Sequence, residues 1–186
     1  NYIGLPMAKD YKKIGEGDVG LNTGGMGAIS PVPFVSKAFK HKIEDKIIKP
    51  TIKGLENEEI PFRGFIFIGL IKVEDEPKVI EYNVRMGDPE TEAILPRIKN
   101  DFGDILKSLV NNKLKFVKME FFNYSTATVV SVSKGYPGEY EKGKEIKGFE
   151  NTKESILFHC GTIKESQKVF TNGGRVLSVV SKGFDF

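Results

Sequence analysis

The sequence has little that would suit a membrane, an oxidising compartment or a nucleic acid. Its single cysteine, Cys160, has no second cysteine in the chain for a disulfide, which indicates a reducing, cytoplasmic environment. The longest apolar run, residues 65–71, is far shorter than the roughly 20 residues that cross a bilayer. The net charge is +3, from 28 basic and 25 acidic residues, and this excess is too small to indicate nucleic-acid binding. We therefore expect a cytoplasmic protein whose partners are small molecules.

The first third of the chain changes its pattern near residue 36. Residues 1–5 resemble the end of a strand, and the glycine-rich residues 6–34 follow neither a helical nor a strand period. A stretch of that length without periodicity predicts a long functional loop. From Ser36 the apolar residues recur at helical spacing, which predicts a helix capped by Ser36 and kinked or broken at Pro50.

The rest of the chain predicts a hairpin, a second helix and then strands. Residues 64–73 and 77–83 flank a polar tip and predict a β-hairpin, its first strand buried. Asp101 is a candidate cap for a further helix. Beyond Lys118 the pattern is that of strands, predicted at residues 126–133, 156–162 and 168–180, the last with a turn at 172–174. The chain is thus predicted to be an α+β protein.

The second hairpin strand carries a pattern suited to a metal and an anion. Glu81, Asn83 and Arg85 alternate along it, so we expect them to share one face. Carboxylate and amide oxygens suit Mg²⁺, which takes few protein ligands, and an arginine can hold a phosphate or carboxylate. For these residues alone, the simpler interpretation is a solvated face with a Glu–Arg pair. The Gly-Asp-Pro-Glu sequence that follows at residues 87–90 favours the metal site.

Residues 22–28, Asn-Thr-Gly-Gly-Met-Gly-Ala, form a glycine-rich segment whose amides could approach an anion. The segment matches neither the phosphate-binding loop that ends in Gly-Lys-Ser/Thr nor the dinucleotide-binding turn. Taken alone it is a flexible loop, just as residues 8–13, Ala-Lys-Asp-Tyr-Lys-Lys, are a charged turn.

Together and in this order, the motifs resemble the phosphoribosylamine–glycine ligase family of ATP-grasp enzymes. The resemblance runs from end to end of the chain, through residues 8–13, 15–18, 22–28, 30–31, 64–65, 81–91, 135–140, 158–162 and 171–177. It implies part of an ATP-grasp domain, an antiparallel sheet with flanking helices, in residues 1–120. It also implies a small β-rich C-terminal domain in residues 121–186. Because the chain has no initiator methionine and stops shortly after an apolar stretch, we expect a truncated fragment, inactive by itself.

The resemblance also implies a reaction and a set of site residues. Family members join glycine to 5-phosphoribosylamine in purine biosynthesis, splitting ATP through a glycyl phosphate, with Mg²⁺ or Mn²⁺. The implied metal ligands are Glu81 and Asn83, and the implied catalytic residues are Arg85 and Asp10, the latter placed to meet an amine. The implied substrate-binding residues are Thr23, Gly24, Gly25, Met26, Gly27, Asp88, Asn172, Gly173 and Gly174.

Two other functions remain open at this point. One is another ATP-grasp carboxylate–amine ligase, which the motifs of the β-rich part disfavour. The other is a non-catalytic nucleotide- or phosphate-binding module, which the metal-ligand pair disfavours. Among further candidates, we expect Cys160 to be buried and His159 to be structural. Tyr136 is expected only to pack around a turn.

Overall fold

The computed structural model describes residues 1–152 and 154–185, which form two compact units. Each unit is assembled from separate stretches of chain. The first unit consists of Asn1–Ile3, Val32–Gly87 and Asp101–Lys118. The second consists of Gly4–Pro31, Asp88–Asn100 and the described residues from Met119 onward. The segments of the two units alternate along the chain, whereas the predicted boundary at residue 120 would give two continuous domains. That boundary stays a prediction.

The helices of the first unit follow the predicted pattern. Helix α1 spans Lys37–Ile43, α2 spans Lys49–Asn57, and a π-helical turn, Glu44–Ile48, joins them. The Ser36 hydroxyl accepts the Phe39 N–H at 3.1 Å, which confirms the predicted cap. Pro50 neither breaks the helix nor ends it. Since proline removes a hydrogen bond and crowds the preceding turn, the wider π-helical turn accommodates its ring.

A hairpin completes the strands of the first unit, as predicted. Strand β3 spans Phe67–Val73 and pairs antiparallel with β4, Glu76–Asn83. The turn between them places Glu74 and Asp75 at φ of 48° and 63°, the left-handed region that a tight hairpin turn requires. The expectation of a buried first strand is wrong at its end, because Ile71 and Val73 are exposed.

The second unit contains a five-stranded antiparallel sheet in the order β1-β2-β5-β10-β7. The strands are Lys9–Gly15, Val19–Ser30, Ser125–Val132, Arg175–Gly183 and Ile156–His159, respectively. The long loop predicted for residues 6–34 is therefore wrong, because most of that segment is a β-hairpin. Residues 1–5 are not in a strand either.

Glycine hides the strand pattern in this segment. Gly27 lies opposite Val129, and a Cβ atom there would lie 2.6 Å from the Thr128 carbonyl oxygen. The neighbouring strand thus approaches too closely for any other residue. A glycine has no side chain to alternate between faces, so the period of two disappears from the sequence.

Smaller elements complete the second unit. Strands β6 (Glu145–Ile146), β8 (Thr162–Glu165) and β9 (Lys168–Thr171) form a sheet in the order β6-β9-β8. Helix α3, Glu90–Ile94, lies against β2 and β5, where the buried Thr126 hydroxyl donates to the Ala93 carbonyl at 2.6 Å. This contact fixes the segment that follows Asp88 against β5.

The remaining helix, α4 (Phe102–Val110), belongs to the first unit. Its predicted cap is confirmed, because the Asp101 carboxylate accepts the Asp104 N–H at 3.0 Å. Within the described residues, no helix has the length and apolar character needed to span a membrane. Strands follow Lys118 as predicted, although the strand expected at 156–162 ends at His159 and β8 begins at Thr162. The α+β fold class is confirmed.

Candidate functional site

Strand β4 of the first unit carries the two predicted metal ligands. Glu81 pairs with Gly69 of β3, and a Cβ atom at Gly69 would lie 2.9 Å from the Glu81 Cγ. The glycine therefore leaves room for the Glu81 side chain to lie across the neighbouring strand. Asn83 is half-buried, and its Nδ2 has no hydrogen-bond partner among the described residues. Two residues apart on one strand, Glu81 and Asn83 share a face.

Arg85 lies beyond the end of the strand, so strand alternation does not place it. Its Nη1 donates to the carbonyl of the next residue, Met86, at 2.9 Å, and the side chain is exposed. Strand alternation therefore gives no basis for placing Arg85 on the face of Glu81 and Asn83, because β4 ends at Asn83, and their shared face stays a prediction for Arg85. An exposed guanidinium remains available to an anion.

A divalent cation fits the donor set on β4. A carboxylate and an amide oxygen are hard donors, and Mg²⁺ commonly completes its shell with phosphate oxygens and water. Among the residues that the structure describes, no three His, Cys, Asp or Glu side chains are grouped as a metal cage. Glu81 and Asn83 would thus supply two ligands, and phosphate oxygens and water could supply the others.

In the second unit, the glycine-rich strand β2 packs around Asp10. The Thr23 hydroxyl donates to the Lys12 carbonyl at 2.8 Å and accepts the Gly25 N–H at 3.0 Å. Gly25 has φ of +122°, and a Cβ atom there would overlap Pro89 and lie 3.0 Å from the Asp10 Oδ1. Only glycine fits this position, and it brings Asp10 close to the residue that follows Asp88.

Two residues of the β-rich part hold Gly24, and both escaped prediction. The Tyr136 hydroxyl accepts the Gly24 N–H at 3.1 Å, and Arg175 Nη1 lies 3.1 Å from the Gly24 carbonyl oxygen. Tyr136 therefore does more than pack around a turn. These partners lie 112 and 151 residues from Gly24, so no local spacing could reveal them.

The amides of the glycine-rich segment are already occupied. Gly24 donates to Tyr136 and Gly25 donates to Thr23, while Gly27 is buried against β5. An anion-binding role for the first two amides is therefore not supported. Contact of the predicted residues Thr23, Gly24, Gly25, Met26 and Gly27 with a substrate stays a prediction.

Carboxylates gather around this strand instead. Asp10 has a side chain that is 10% exposed, with Oδ2 2.6 Å from Lys12 Nζ and no hydrogen bond to Oδ1 from any described residue. Burial raises the pKa of Glu90, and the negative charges of Asp10 and Asp88 add to the effect. Burial likewise raises the pKa of Glu92, with Asp88 contributing. The Asp10 and Asp88 carboxylates are paired with Lys12 and Arg175, so their charge is partly neutralised within the chain.

The predicted turn at Asn172, Gly173 and Gly174 is tied into the fold. The Asn172 N–H donates to the Gly161 carbonyl at 2.7 Å. The carbonyls of Gly173 and Gly174 accept from the hydroxyl and the N–H of Ser133, both at 2.8 Å. These contacts account for the turn structurally, and its contact with a substrate stays a prediction.

His159 and Cys160 play no evident chemical role. The His159 Nδ1 lies 2.9 Å from the Thr162 hydroxyl and its ring stacks on Phe149, which agrees with a structural histidine. Cys160 is exposed, so the expectation that it is buried is wrong. It follows the end of β7, the strand at the edge of the sheet, and its Sγ lies 3.5 Å from the Ser178 hydroxyl.

Comparisons with known proteins agree with this architecture. A family model described as the ATP-grasp (A) domain of phosphoribosylglycinamide synthetase matches residues 1–91. A model of the C domain of the same synthetase matches residues 126–186. The solved phosphoribosylamine–glycine ligase of Thermotoga maritima superposes with a TM-score of 0.83 at 37% identity, covering 97% of this chain and 44% of that one.

Sequence relatives carry the same names. The phosphoribosylamine–glycine ligase of Caldanaerobacter subterraneus is 45% identical over 183 residues, which cover 98% of this chain and 44% of the relative. The trifunctional purine biosynthetic protein adenosine-3 of Gallus gallus is 45% identical over 180 residues, 95% of this chain and 18% of that protein. The chain belongs to the phosphoribosylglycinamide synthetase family of ATP-grasp ligases. It spans less than half the length of these relatives.

Proposed function

We propose that the protein of which this chain forms part joins glycine to 5-phosphoribosylamine, giving glycinamide ribonucleotide in purine biosynthesis. A glycine carboxylate oxygen attacks the γ-phosphorus of ATP, and ADP leaves. The amine nitrogen of phosphoribosylamine then attacks the acyl carbon, phosphate leaves, and the nitrogen loses a proton. Membership of the family and the Glu81–Asn83 pair on one face of β4 support this reaction most directly.

The ligands on β4 suit the first half of the reaction. Glu81 and Asn83 would hold Mg²⁺ or Mn²⁺, which would neutralise charge on the nucleotide phosphates. Gly69 keeps the space that the Glu81 side chain occupies. Arg85, exposed just beyond the strand, would bind a phosphate or carboxylate oxygen of a reactant.

The acidic surface of the second unit suits the amines of the reaction. Both glycine and phosphoribosylamine present an amino nitrogen, and Asp10 has a buried carboxylate oxygen without a hydrogen bond from the described residues. Asp88 adds a second carboxylate close to the glycine-rich strand. An ammonium group would satisfy the unpaired oxygen at a lower cost than leaving it buried alone.

We place the protein in the cytoplasm, with small molecules as its partners and neither nucleic acid nor membrane. A lone cysteine fits a reducing compartment, and a net charge of +3 gives little attraction for a polyanion.

The proposal can be tested by substituting Glu81 in the protein extended to the full length of its relatives. Glu81→Gln should lower turnover by about a hundredfold or more, because the lost charge acts on the phosphoryl-transfer step. Glu74→Gln, at the exposed turn of the same hairpin, is the matched control and should leave turnover unchanged. Turnover of the Glu81 variant within threefold of the unsubstituted protein, at saturating Mg²⁺, would overturn the ligand assignment.

A second candidate, ligation of a different acid and amine, makes a different prediction in the same assay. ADP would then form with another carboxylate and not with glycine. The match of the C-domain model to residues 126–186 favours the glycine ligase.

A further inference from the structure

We propose that Arg175 is a positioning residue that fixes Gly24 and Asp88 to each other within the second unit. The inference rests on the proposed function, since its importance depends on these residues meeting a substrate. Arg175 Nη1 lies 2.8 Å from the Asp88 Oδ1, 3.1 Å from the Asp88 carbonyl and 3.1 Å from the Gly24 carbonyl. One nitrogen thus connects the glycine-rich strand to the Gly-Asp-Pro-Glu segment.

The position of Arg175 distinguishes this contact from an ordinary surface ion pair. The Arg175 side chain is 22% exposed and the Asp88 side chain 48%, whereas ion pairs in which both side chains are well solvated contribute little. Two of its three acceptors are backbone carbonyls, so the guanidinium fixes main-chain positions as well as a side chain. Nη1 carries only two protons, so its three acceptors share two N–H donors.

Gly24 is held from two sides. Its carbonyl faces Arg175, and its N–H donates to the Tyr136 hydroxyl. A Cβ atom on Gly24 would lie 3.1 Å from the Arg175 Cζ, so the absent side chain is what lets the guanidinium approach. The Tyr136 ring packs against Gly174, where a Cβ atom would overlap it. Both contacts come from the part of the chain that matches the C-domain model.

The two parts of the sequence therefore have different roles in this arrangement. Residues in the segment of the ATP-grasp model supply Gly24 and Asp88, while the C domain supplies the groups that orient them. Loss of the guanidinium would free the Asp88 carboxylate and the Gly24 carbonyl together. Binding of the substrates that these groups meet would weaken, whereas ATP binding through Glu81 and Asn83 would not.

Amide hydrogen exchange on the 186-residue chain tests the structural half of the inference. In Arg175→Ala the Gly24 amide should exchange at least tenfold faster, while amides shared between β5 and β10 keep their protection. Arg175→Lys retains the charge on a shorter side chain without the rigid guanidinium, and should give an intermediate rate. Arg63→Ala is the control, because it removes an arginine that donates to the Val110 carbonyl in the first unit. It should change neither the exchange of the Gly24 amide nor that of the amides between β5 and β10.

Kinetics of the full-length protein test the functional half. We expect Arg175→Ala to raise KM for glycine or phosphoribosylamine about tenfold or more, as loss of a charged hydrogen bond does, with KM for ATP within twofold. Uniform loss of kcat with all KM values unchanged would overturn the positioning role. Unchanged exchange at Gly24, whose amide donates to Tyr136, would show that Arg175 does not hold Gly24 in place and would overturn the inference, whatever the activity. Absence of any glycine-dependent turnover in the unsubstituted protein would instead refute the proposed function, and the exchange result would still decide the contact.

Discussion

Substitution of Gly25 by alanine should destabilise the second unit in a way that can be calculated from the structure. A non-glycine residue at φ of +122° stores about 1 to 3 kcal/mol of backbone strain. The new methyl group would overlap Pro89 and lie 3.0 Å from the Asp10 Oδ1, and overpacking of this kind costs about 1 to 3 kcal/mol. We therefore expect a loss of about 3 kcal/mol in the free energy of unfolding.

Urea unfolding followed by far-ultraviolet circular dichroism measures this loss. With a slope of about 2 kcal/mol per molar urea, the midpoint should fall by about 1.5 M. Amide exchange in β2 and β5 would show that the second unit is the part affected.

Gly17→Ala is the matched control, because Gly17 has φ of +70° but no atom within 4 Å of a new Cβ. It carries the strain without the overlap, so its midpoint should fall by about 0.5 M. Equal shifts for the two variants would refute the close packing of Gly25 against Pro89. A shift below about 0.3 M for Gly25→Ala would refute the strain argument as well.

Three further predictions concern charge, activity and association. Burial raises the folded-state pKa of Glu90 above its ordinary 4.5, so the folded chain binds a proton that the unfolded chain releases. Stability should therefore fall as pH rises above about 4.5 through that raised pKa. Glu90→Gln should make the free energy of unfolding, measured by urea titration, depend less on pH, and an unchanged dependence would contradict this prediction. The 186 residues alone should show no glycine-dependent ATP hydrolysis in a coupled assay, and turnover near 1 per second or faster would contradict this. Ile80 and Val84 are 65% and 77% exposed, so the isolated chain should self-associate. Val84→Lys should reduce that association in sedimentation velocity, and an unchanged distribution would exclude this surface.

The exposed apolar surface of the hairpin lies away from the start of its first strand. Phe65 and Phe67 are half-buried, and Phe65 stacks on Phe102. The exposed residues lie on the hairpin strands and just beyond them. The apolar residues of the hairpin predicted that part of it is buried. Which of its faces is buried depends on the helices that pack against it.

Local chemistry made much of the fold predictable. The Ser36 and Asp101 caps, the apolar face that buries Phe39 and Ile43, and the polar tip of the hairpin each depend on residues a few positions apart. Such features can be recognised from spacing and side-chain type, because the physical partners lie within one or two turns.

The glycine-rich strand and its partners could not be predicted in this way. Gly25 and Gly27 are glycines because Pro89 and the backbone of β5 approach them, and those neighbours are distant in sequence. The roles of Tyr136, in the turn that follows β5, and of Arg175, at the start of β10, likewise appear only when those strands share a sheet with β2. A residue selected by a long-range contact leaves no periodic signal, so both were missed.

The measurement that tests the central claim most directly is product analysis with the protein extended to its relatives' full length. The protein would be incubated with ATP and Mg²⁺, with glycine and phosphoribosylamine supplied together or singly, and the products would be identified by mass. We predict that glycinamide ribonucleotide and ADP form in equal amounts only when both co-substrates are present. ADP formation that does not depend on glycine, or a product without a glycyl group, would contradict the account.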